Sequence, residues 1–530
     1  MKKRGKNGLI ERVIENWLTN SNEIGYQVPF CQYLISEGYN VLHLSSHGQM
    51  EQGKDIISLD ANGNPCAFQL KSGNIDLAKW RQIKGEIDEL IEIPINCSGV
   101  DKTVQHRTIF VTNGTISDPV RRAIDDLNPV NIRRGFSELE VITKMDLLKR
   151  FLEVHNVFLP REPSDFKLFL ELLLSNGYEQ IDKKATAKFL ESILFVGKQT
   201  KNELKRKIAS GLLLTKYLMK TYEDQTNHIS IIEGWTLFCG YLFALVEKFD
   251  LEEKYWKQSY DLIMHLIADQ FDLLKDEFFS RTNYIENSWD GGIIYRSRLT
   301  IVLGWLSAFE LFMKHTDNEY AIDQRILEYI KRYKNDIWYW GESATPYFIE
   351  MSLVGYQLGD DAFSNDLLID LVAKIMVENV SREGKGFPNP YYSAEQVLTY
   401  LFNFPDKELA SDSFLGSSFH VSAIIDMLVR RNRRTSLSEV WRNVSKLLLC
   451  EFKPDQPWKF LTWICLEGKQ VDVFYDRPQS WKKLRDQAND YSVPELPKLL
   501  LNNPFSHLFL VCYPHRLTRE SIKLVDNSNK

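Results

Sequence analysis

The rhythm of hydrophobic positions changes part-way along this chain. Over the first 155 residues, helical and alternating patterns take turns. Leu9 to Leu18 repeats apolar residues at helical spacing (Leu9, Ile10, Val13, Ile14, Trp17), and Val28 to Glu37 predicts a second helix. Asn40 to Leu44, Lys54 to Leu59 and Cys66 to Lys71 predict three short strands. The last two are joined through Asn62-Gly63, a hairpin signal because both central positions of a type I′ turn need positive φ. Asp76 predicts the cap of a helix running to about Glu92, with Leu77, Trp80, Ile83, Ile87 and Leu90 on one face. A buried strand at Thr108 to Thr112, a helix from Asp118-Pro119 to about Leu127, a strand at Leu139 to Thr143 and a helix from Met145 complete the block. The order α-α-β-β-β-α-β-α-β-α predicts an α/β domain around a central mixed sheet.

Leu159-Pro-Arg-Glu-Pro163 reads as a linker, after which the texture is helical from about Asp165 to Arg434. Breakers sit at Asn283, Gly291-Gly292, Gly341, Gly384 to Pro390 and Pro405, with no fixed-period repeat. From Glu451 the tail carries more Pro and Trp and two further strand candidates, Val471 to Tyr475 and Leu508 to Cys512. The expected division is an α/β domain at 1–158, a large mainly α-helical domain at 165–450 for sensing, assembly or DNA positioning, and an α+β tail at 451–530.

At 530 residues the chain is too long for one compact core. A hydrophobic share of 44% and a charged share of 26% are ordinary for a globular protein. The formal net charge of −6 excludes a basic nucleic-acid coat, but not an enzyme with a local phosphate-binding surface. The seven cysteines are scattered and never form a CxxC pair, so they suggest neither a disulfide framework nor a zinc site. The basic N-terminus lacks the unbroken apolar stretch of a signal peptide. The longest apolar run, Trp235 to Val246, falls short of the ~18 residues a membrane span needs. A soluble, cytoplasmic protein with no membrane partner is expected.

The chemistry concentrates in Gly53-Lys54-Asp55 and Gln69-Leu70-Lys71. Hydrolysing a phosphodiester calls for a divalent cation that polarises a phosphoryl oxygen and activates water. Such a cation, Mg2+ or Mn2+, takes hard oxygen ligands. Asp55 offers a carboxylate, Gln69 an amide oxygen and Leu70 its backbone carbonyl. Side chains at i and i+2 of a strand share a face. Lys71 therefore stands beside Gln69, with an ammonium where negative charge develops.

These residues resemble the Mrr-like restriction endonuclease branch of the PD-(D/E)XK nucleases. That branch carries an acid on an early helix, G-x-D on one strand and Q-x-K on the next. The resemblance covers residues 7 to 155. It implies a restriction-endonuclease-like fold and Asp55, Gln69 and Lys71 as catalytic residues. Glu11, Glu15, Glu23 and Glu37 compete for the early acid, and Glu15 is preferred, as it lies on a helix with an apolar opposite face. The resemblance also places the helix after Q-x-K at the site's border, where Arg81 and Gln82 would touch phosphate. Phe30-Cys31 departs from the family's frequent Phe-Glu.

Other features read more plainly. His43 and His47 flank the loop before Asp55 as structural or solvated histidines, and Glu51 as a loop carboxylate. Arg150 to His155 matches the R-x4-H spacing of HEPN ribonucleases by chance, outside a four-helix context. The basic clusters Lys198 to Lys207 and Arg430-Arg431-Asn432-Arg433-Arg434 read as solvated helix ends, with a DNA track as the alternative. Trp338 to Trp340 and Pro390 to Tyr392 read as core rather than base-stacking platforms.

The expected function is a Mg2+-dependent DNA endonuclease acting in restriction or anti-phage defence. The alternatives are a catalytically inactive nuclease-fold scaffold or nucleic-acid-binding module, and an RNA-cutting enzyme using the same site. DNA is the expected partner, and self-association is a further expectation. No Walker A sequence is present, so an ATP-using step would fall to a separate sensor or ATPase chain.

Overall fold

The computed structural model describes residues 15, 18–19, 22–44, 53–97, 100–101, 103–154, 168–169, 171–173, 175–197, 199–280, 292–380, 384–402, 415–463, 471–475, 480–488, 490 and 496–526. The expected Leu9 to Leu18 helix falls largely outside these residues, as do the 159–163 linker and the breakers Asn283, Gly291 and Pro405. The chain forms two compact units, neither continuous in sequence. One takes residues 1–176, 188–224 and 252–266, and the other residues 177–187, 225–251 and 267–530. The linear division at 165 and 451 is thus replaced by an interleaved one. Helices choose neighbours through long-range packing that a local pattern does not carry.

The first unit is built on a five-stranded mixed sheet with strand order β1-β2-β3-β4-β5. Helix α1 (Glu23–Ser36) precedes β1 (Asn40–Leu44), β2 (Ile56–Leu59) and β3 (Pro65–Lys71). Then come α2 (Leu77–Glu92), β4 (Arg107–Thr112), α3 (Asp118–Arg133), β5 (Leu139–Ile142) and α4 (Lys144–Val154). The β1/β2 and β2/β3 pairs are antiparallel, and β3/β4 and β4/β5 are parallel. Helix α1 starts five residues before the predicted Val28, and α3 runs on through Pro129 to Arg133. Asp76 caps α2 as expected, accepting from the Lys79 backbone N–H at 2.8 Å.

The β2–β3 turn differs from its prediction. Only Gly63 adopts a left-handed φ, at +85°. Asp60 N–H donates to the Asn64 carbonyl at 2.9 Å, so the loop is the three residues Ala61-Asn62-Gly63. The Asp60 carboxylate accepts from the backbone N–H groups of Asn62 and Asn64, both at 2.9 Å, and so makes an aspartate-led turn more favourable than a two-residue one.

Alternation along β3 and β4 divides the sheet into two faces. Phe68 and Leu70, in register with Ile109 and Val111, join a core with Phe30, Phe151 and Leu213. The rings of Phe30 and Phe68 meet edge-on at 5.6 Å. Gln69 and Lys71, in register with Phe110 and Thr112, look to the opposite face, where Trp80 of α2 packs on Phe110 at 6.1 Å. One face is a dry core; the other carries the polar motif.

The second unit is mainly helical, with a small sheet of 417–418, 448–453 and 471–475. The Val471–Tyr475 strand was expected, whereas the expected strand at Leu508 to Cys512 is helix Phe505–Cys512. A fully buried apolar run has no polar face to reveal its period, so pattern alone does not separate the two. Helix His228–Phe249 is longer than the apolar run suggested and is apolar enough to cross a membrane by length and composition. It is nevertheless 94% buried within the protein over its most apolar window. Trp338 to Trp340 behaves as expected, with Tyr339 and Trp340 both buried.

Candidate active site

Asp55 stands immediately before β2, and its backbone N–H donates to the Phe68 carbonyl at 2.8 Å. Its carboxylate lies in the plane of the sheet and accepts the Leu70 N–H at 2.5 Å, between Gln69 and Lys71 along β3. Gly53 makes this approach possible. Its φ is +70°, and a Cβ there would lie 2.5 Å from the Glu86 carbonyl oxygen on α2. The glycine of G-x-D thus lets the loop lie flat against the helix that closes the site. Lys54 turns away, donates to the Glu89 carbonyl at 3.2 Å, and is pulled by burial to a pKa of about 8.

Gln69 and Lys71 point to the same side, as the strand period requires. Both reach one carboxylate oxygen, Glu86 Oε2: Gln69 Nε2 at 3.2 Å and Lys71 Nζ at 2.7 Å. With its nitrogen so engaged, the Gln69 amide presents Oε1, which is buried and has no hydrogen-bond partner. Burial pulls the Lys71 ammonium down. The hydrogen bond to Glu86 and the charges of Glu23, Glu86 and Asp55 outweigh it, so its pKa rises above the usual lysine value.

The early-helix acid beside Lys71 is Glu23, not Glu15. Glu23 Oε2 lies 4.0 Å from Lys71 Nζ, and Glu23 Oε1 accepts the Ser72 N–H at 3.1 Å. Glu15 instead pairs with Lys144 at 3.0 Å. Helix α1 begins at Glu23, and its Tyr26 hydroxyl donates to the Lys71 carbonyl at 3.0 Å, tying the helix start to the end of β3. Burial, with Glu23 and Asp55 nearby, holds the Tyr26 phenol well above its usual pKa. Glu37 is exposed past the far end of α1, and Glu11 lies outside the described residues.

The other expected contacts separate. Gln82 is exposed and four residues from Glu86, so it shares the helix face that borders the site. Arg81 is also exposed and projects about 100° further round the helix. Lys79 is the cation that reaches the end of β3, donating to the Ser72 carbonyl at 2.5 Å. His43 lies on β1 in register with Ile57; His47 and Glu51 lie outside the described residues. The Arg150 guanidinium packs 5.1 Å over the Tyr33 ring, and His155 lies outside the described residues. Sequence reasoning missed Glu86, whose one available signal was its position four residues after Gln82.

Asp55 and Gln69 are buried, Lys71 is nearly so, and Glu23 and Glu86 form a half-exposed rim. Three carboxylates therefore surround one ammonium, which leaves negative charge in excess and favours a cation. Among the described residues no three His, Cys, Asp or Glu side chains gather closely enough to hold a metal by themselves. The donors here are of another kind: a carboxylate, an amide oxygen without a partner, and backbone carbonyls. All are hard oxygens, which suit Mg2+.

The chain has no detectable match among known protein families, curated proteins or solved structures.

Proposed function

We propose that the first unit cuts the phosphodiester backbone of DNA in the presence of Mg2+ or Mn2+. One observation carries the reading: the Asp55 carboxylate, held on the Leu70 N–H, lies between Gln69 and Lys71 along β3, and the Gln69 amide oxygen is left without a partner. A buried amide oxygen costs free energy unless something meets it, and a hard cation is the natural partner. The placement of G-x-D and Q-x-K at neighbouring strand ends, with an acid arriving from the preceding helix, supports a restriction-endonuclease-like fold.

Asp55, Gln69 Oε1 and the Leu70 carbonyl would hold the cation. A divalent cation so held supplies Lewis acidity to a phosphoryl oxygen and to the attacking water. Lys71 brings positive charge to the phosphate as negative charge builds on it. Glu86 and Glu23 keep that lysine protonated and fixed in place. Gln82, exposed on the face of α2 that carries Glu86, would meet a flanking phosphate.

Purified protein is expected to degrade plasmid DNA when Mg2+ or Mn2+ is added, and Asp55→Ala or Lys71→Ala to abolish it. Cutting that survives both substitutions overturns the assignment. Parallel digestion of RNA decides between a DNA and an RNA enzyme. A role in restriction or anti-phage defence is proposed on the resemblance of the motif alone.

A further inference from the structure

The run Pro390-Tyr391-Tyr392, expected to be core, is core on one side only. Tyr391 stacks on the buried ring of His515 at 4.0 Å, yet both tyrosines are half-buried and line a cavity of about 630 Å³. Every residue of that lining belongs to the second unit. Gln180, Ser393 and Glu395 line it as well and are exposed, so the cavity opens to solvent. Cavities of roughly 300 to 1,000 Å³ are the size that encloses a small organic molecule.

Trp340, Tyr347 and Trp463 add to its aromatic wall, and each is held in place. Trp340 Nε1 donates to the Ser343 hydroxyl at 3.1 Å, and the Trp340 ring lies 5.8 Å from that of Tyr347. Trp463 meets His515 edge-on at 4.7 Å, with the Lys183 ammonium 5.4 Å over its ring. Rings fixed in this way need no further ordering when a flat ligand packs on them.

The amides of the lining carry a set pattern. Gln180 commits its nitrogen to both oxygens of the buried Glu233, at 2.9 and 3.0 Å, so its own oxygen is what it offers a ligand. Asn389 and Gln396 do the reverse. Their oxygens accept the backbone N–H groups of Tyr391 and Ser393, each at 3.0 Å, so their NH2 groups are what they offer. A hydroxyl turns to donate or accept as needed, whereas the edge of a nucleobase holds donors and acceptors in set places. Two amide donors and one amide acceptor, with roles already assigned, therefore suit a base edge better than a sugar.

Charge argues against a phosphate. Lys183 Nζ is bound to Glu233 Oε1 at 2.9 Å, which leaves Lys184 against Glu179, Asp182 and Glu395 among the charged side chains of the lining. We propose that this cavity binds an uncharged nucleobase, presented by a free nucleoside rather than by a nucleotide or a nucleic-acid strand. The aromatic wall takes the face of the ring, and Gln180, Asn389 and Gln396 read its edge. The site lies in the second unit and stands whether or not the first unit cuts DNA.

Equilibrium dialysis of the full chain against adenosine, guanosine, cytidine and uridine tests it, with at least one of them expected to fill a single saturable site. Gln396→Glu keeps the acceptor that caps helix Ala394–Leu401 and removes only the donated NH2. It should weaken binding about tenfold, the scale of one hydrogen bond lost with its partner left unmet, while circular dichroism stays that of the parent. Gln180→Ala, at an exposed position, should weaken binding by a similar factor. The 5′-monophosphate of the nucleoside that binds should bind several-fold more weakly, because its charge meets Glu179, Asp182 and Glu395. Tighter binding of the monophosphate, no binding of any of the four, or binding undiminished in both variants overturns the assignment.

Discussion

Lys71 Nζ lies 2.7 Å from Glu86 Oε2, the same oxygen that Gln69 Nε2 approaches at 3.2 Å. One carboxylate on α2 thereby fixes both polar residues of the β3 motif. It keeps the lysine charged and turns the Gln69 amide oxygen the other way.

Glu86→Ala should therefore act on Lys71 before it acts on the fold. Its hydrogen bond and charge raise the Lys71 pKa, so removing them lets that pKa fall. The ammonium is then lost at a lower pH, and the alkaline limb of the cleavage profile moves to lower pH. Glu86→Gln, which keeps an acceptor without the charge, should shift it less. An alkaline limb that stays put in Glu86→Ala would show that Glu86 does not hold Lys71.

Glu23 and Glu15 make a paired test. Glu23→Ala is expected to lower cleavage about tenfold or more, in the range of a lost charged contact at a reacting centre. Glu15→Ala should leave the rate near normal, since its partner is Lys144. Single-turnover rates on one plasmid substrate measure both, and the opposite ranking would restore Glu15 as the early acid.

Gly114 is fixed by close backbone approach. A Cβ there would fall 2.2 Å from the Gly73 carbonyl carbon and oxygen and 2.4 Å from the Asn74 nitrogen. These segments run side by side beyond β3 and β4, joined by Ile75 N–H to the Thr115 carbonyl at 2.8 Å. Gly114→Ala should cost about 3 kcal/mol, the scale of forced overpacking, and weaken the first unit in urea denaturation. A change under about 0.5 kcal/mol would mean that the strap shifts freely.

Asp426 should leave a mark on stability against pH. Burial raises its pKa from 3.8 to about 6, against the pull of Arg519, Arg430 and Lys523. The folded state thus holds this proton more tightly than the unfolded chain. Its stabilising contribution is present below about pH 4 and is lost as pH rises through about 6, up to ~3 kcal/mol in all. Asp426→Asn removes the slope between those limits, and urea midpoints measured from pH 4 to 7 in both proteins will show whether it does.

Much of the first unit was legible because its information is local. The Asp76 cap, the strands at Asn40 to Leu44 and Cys66 to Lys71, and the shared direction of Gln69 and Lys71 all follow from spacing within a few residues. The turn at Gly63 was half legible: the glycine was needed, but the Asp60 side chain selected a longer loop. The helix at Phe505–Cys512 was not, because its residues are buried on all sides.

What the residues alone determined, then, is the motif and its face. Alternation decides that Phe68 and Leu70 go to the core while Gln69 and Lys71 do not, whatever else the chain does. Which acid meets Lys71 was settled only in three dimensions. Glu23 comes from 48 positions earlier and Glu86 from 15 later, and several glutamates had equal local claims. The same holds for Arg430 and Arg431, which look like a solvated helix end until Asp526, almost a hundred residues on, covers them. Period is a property of neighbours in sequence; charge pairing and burial are properties of neighbours in space.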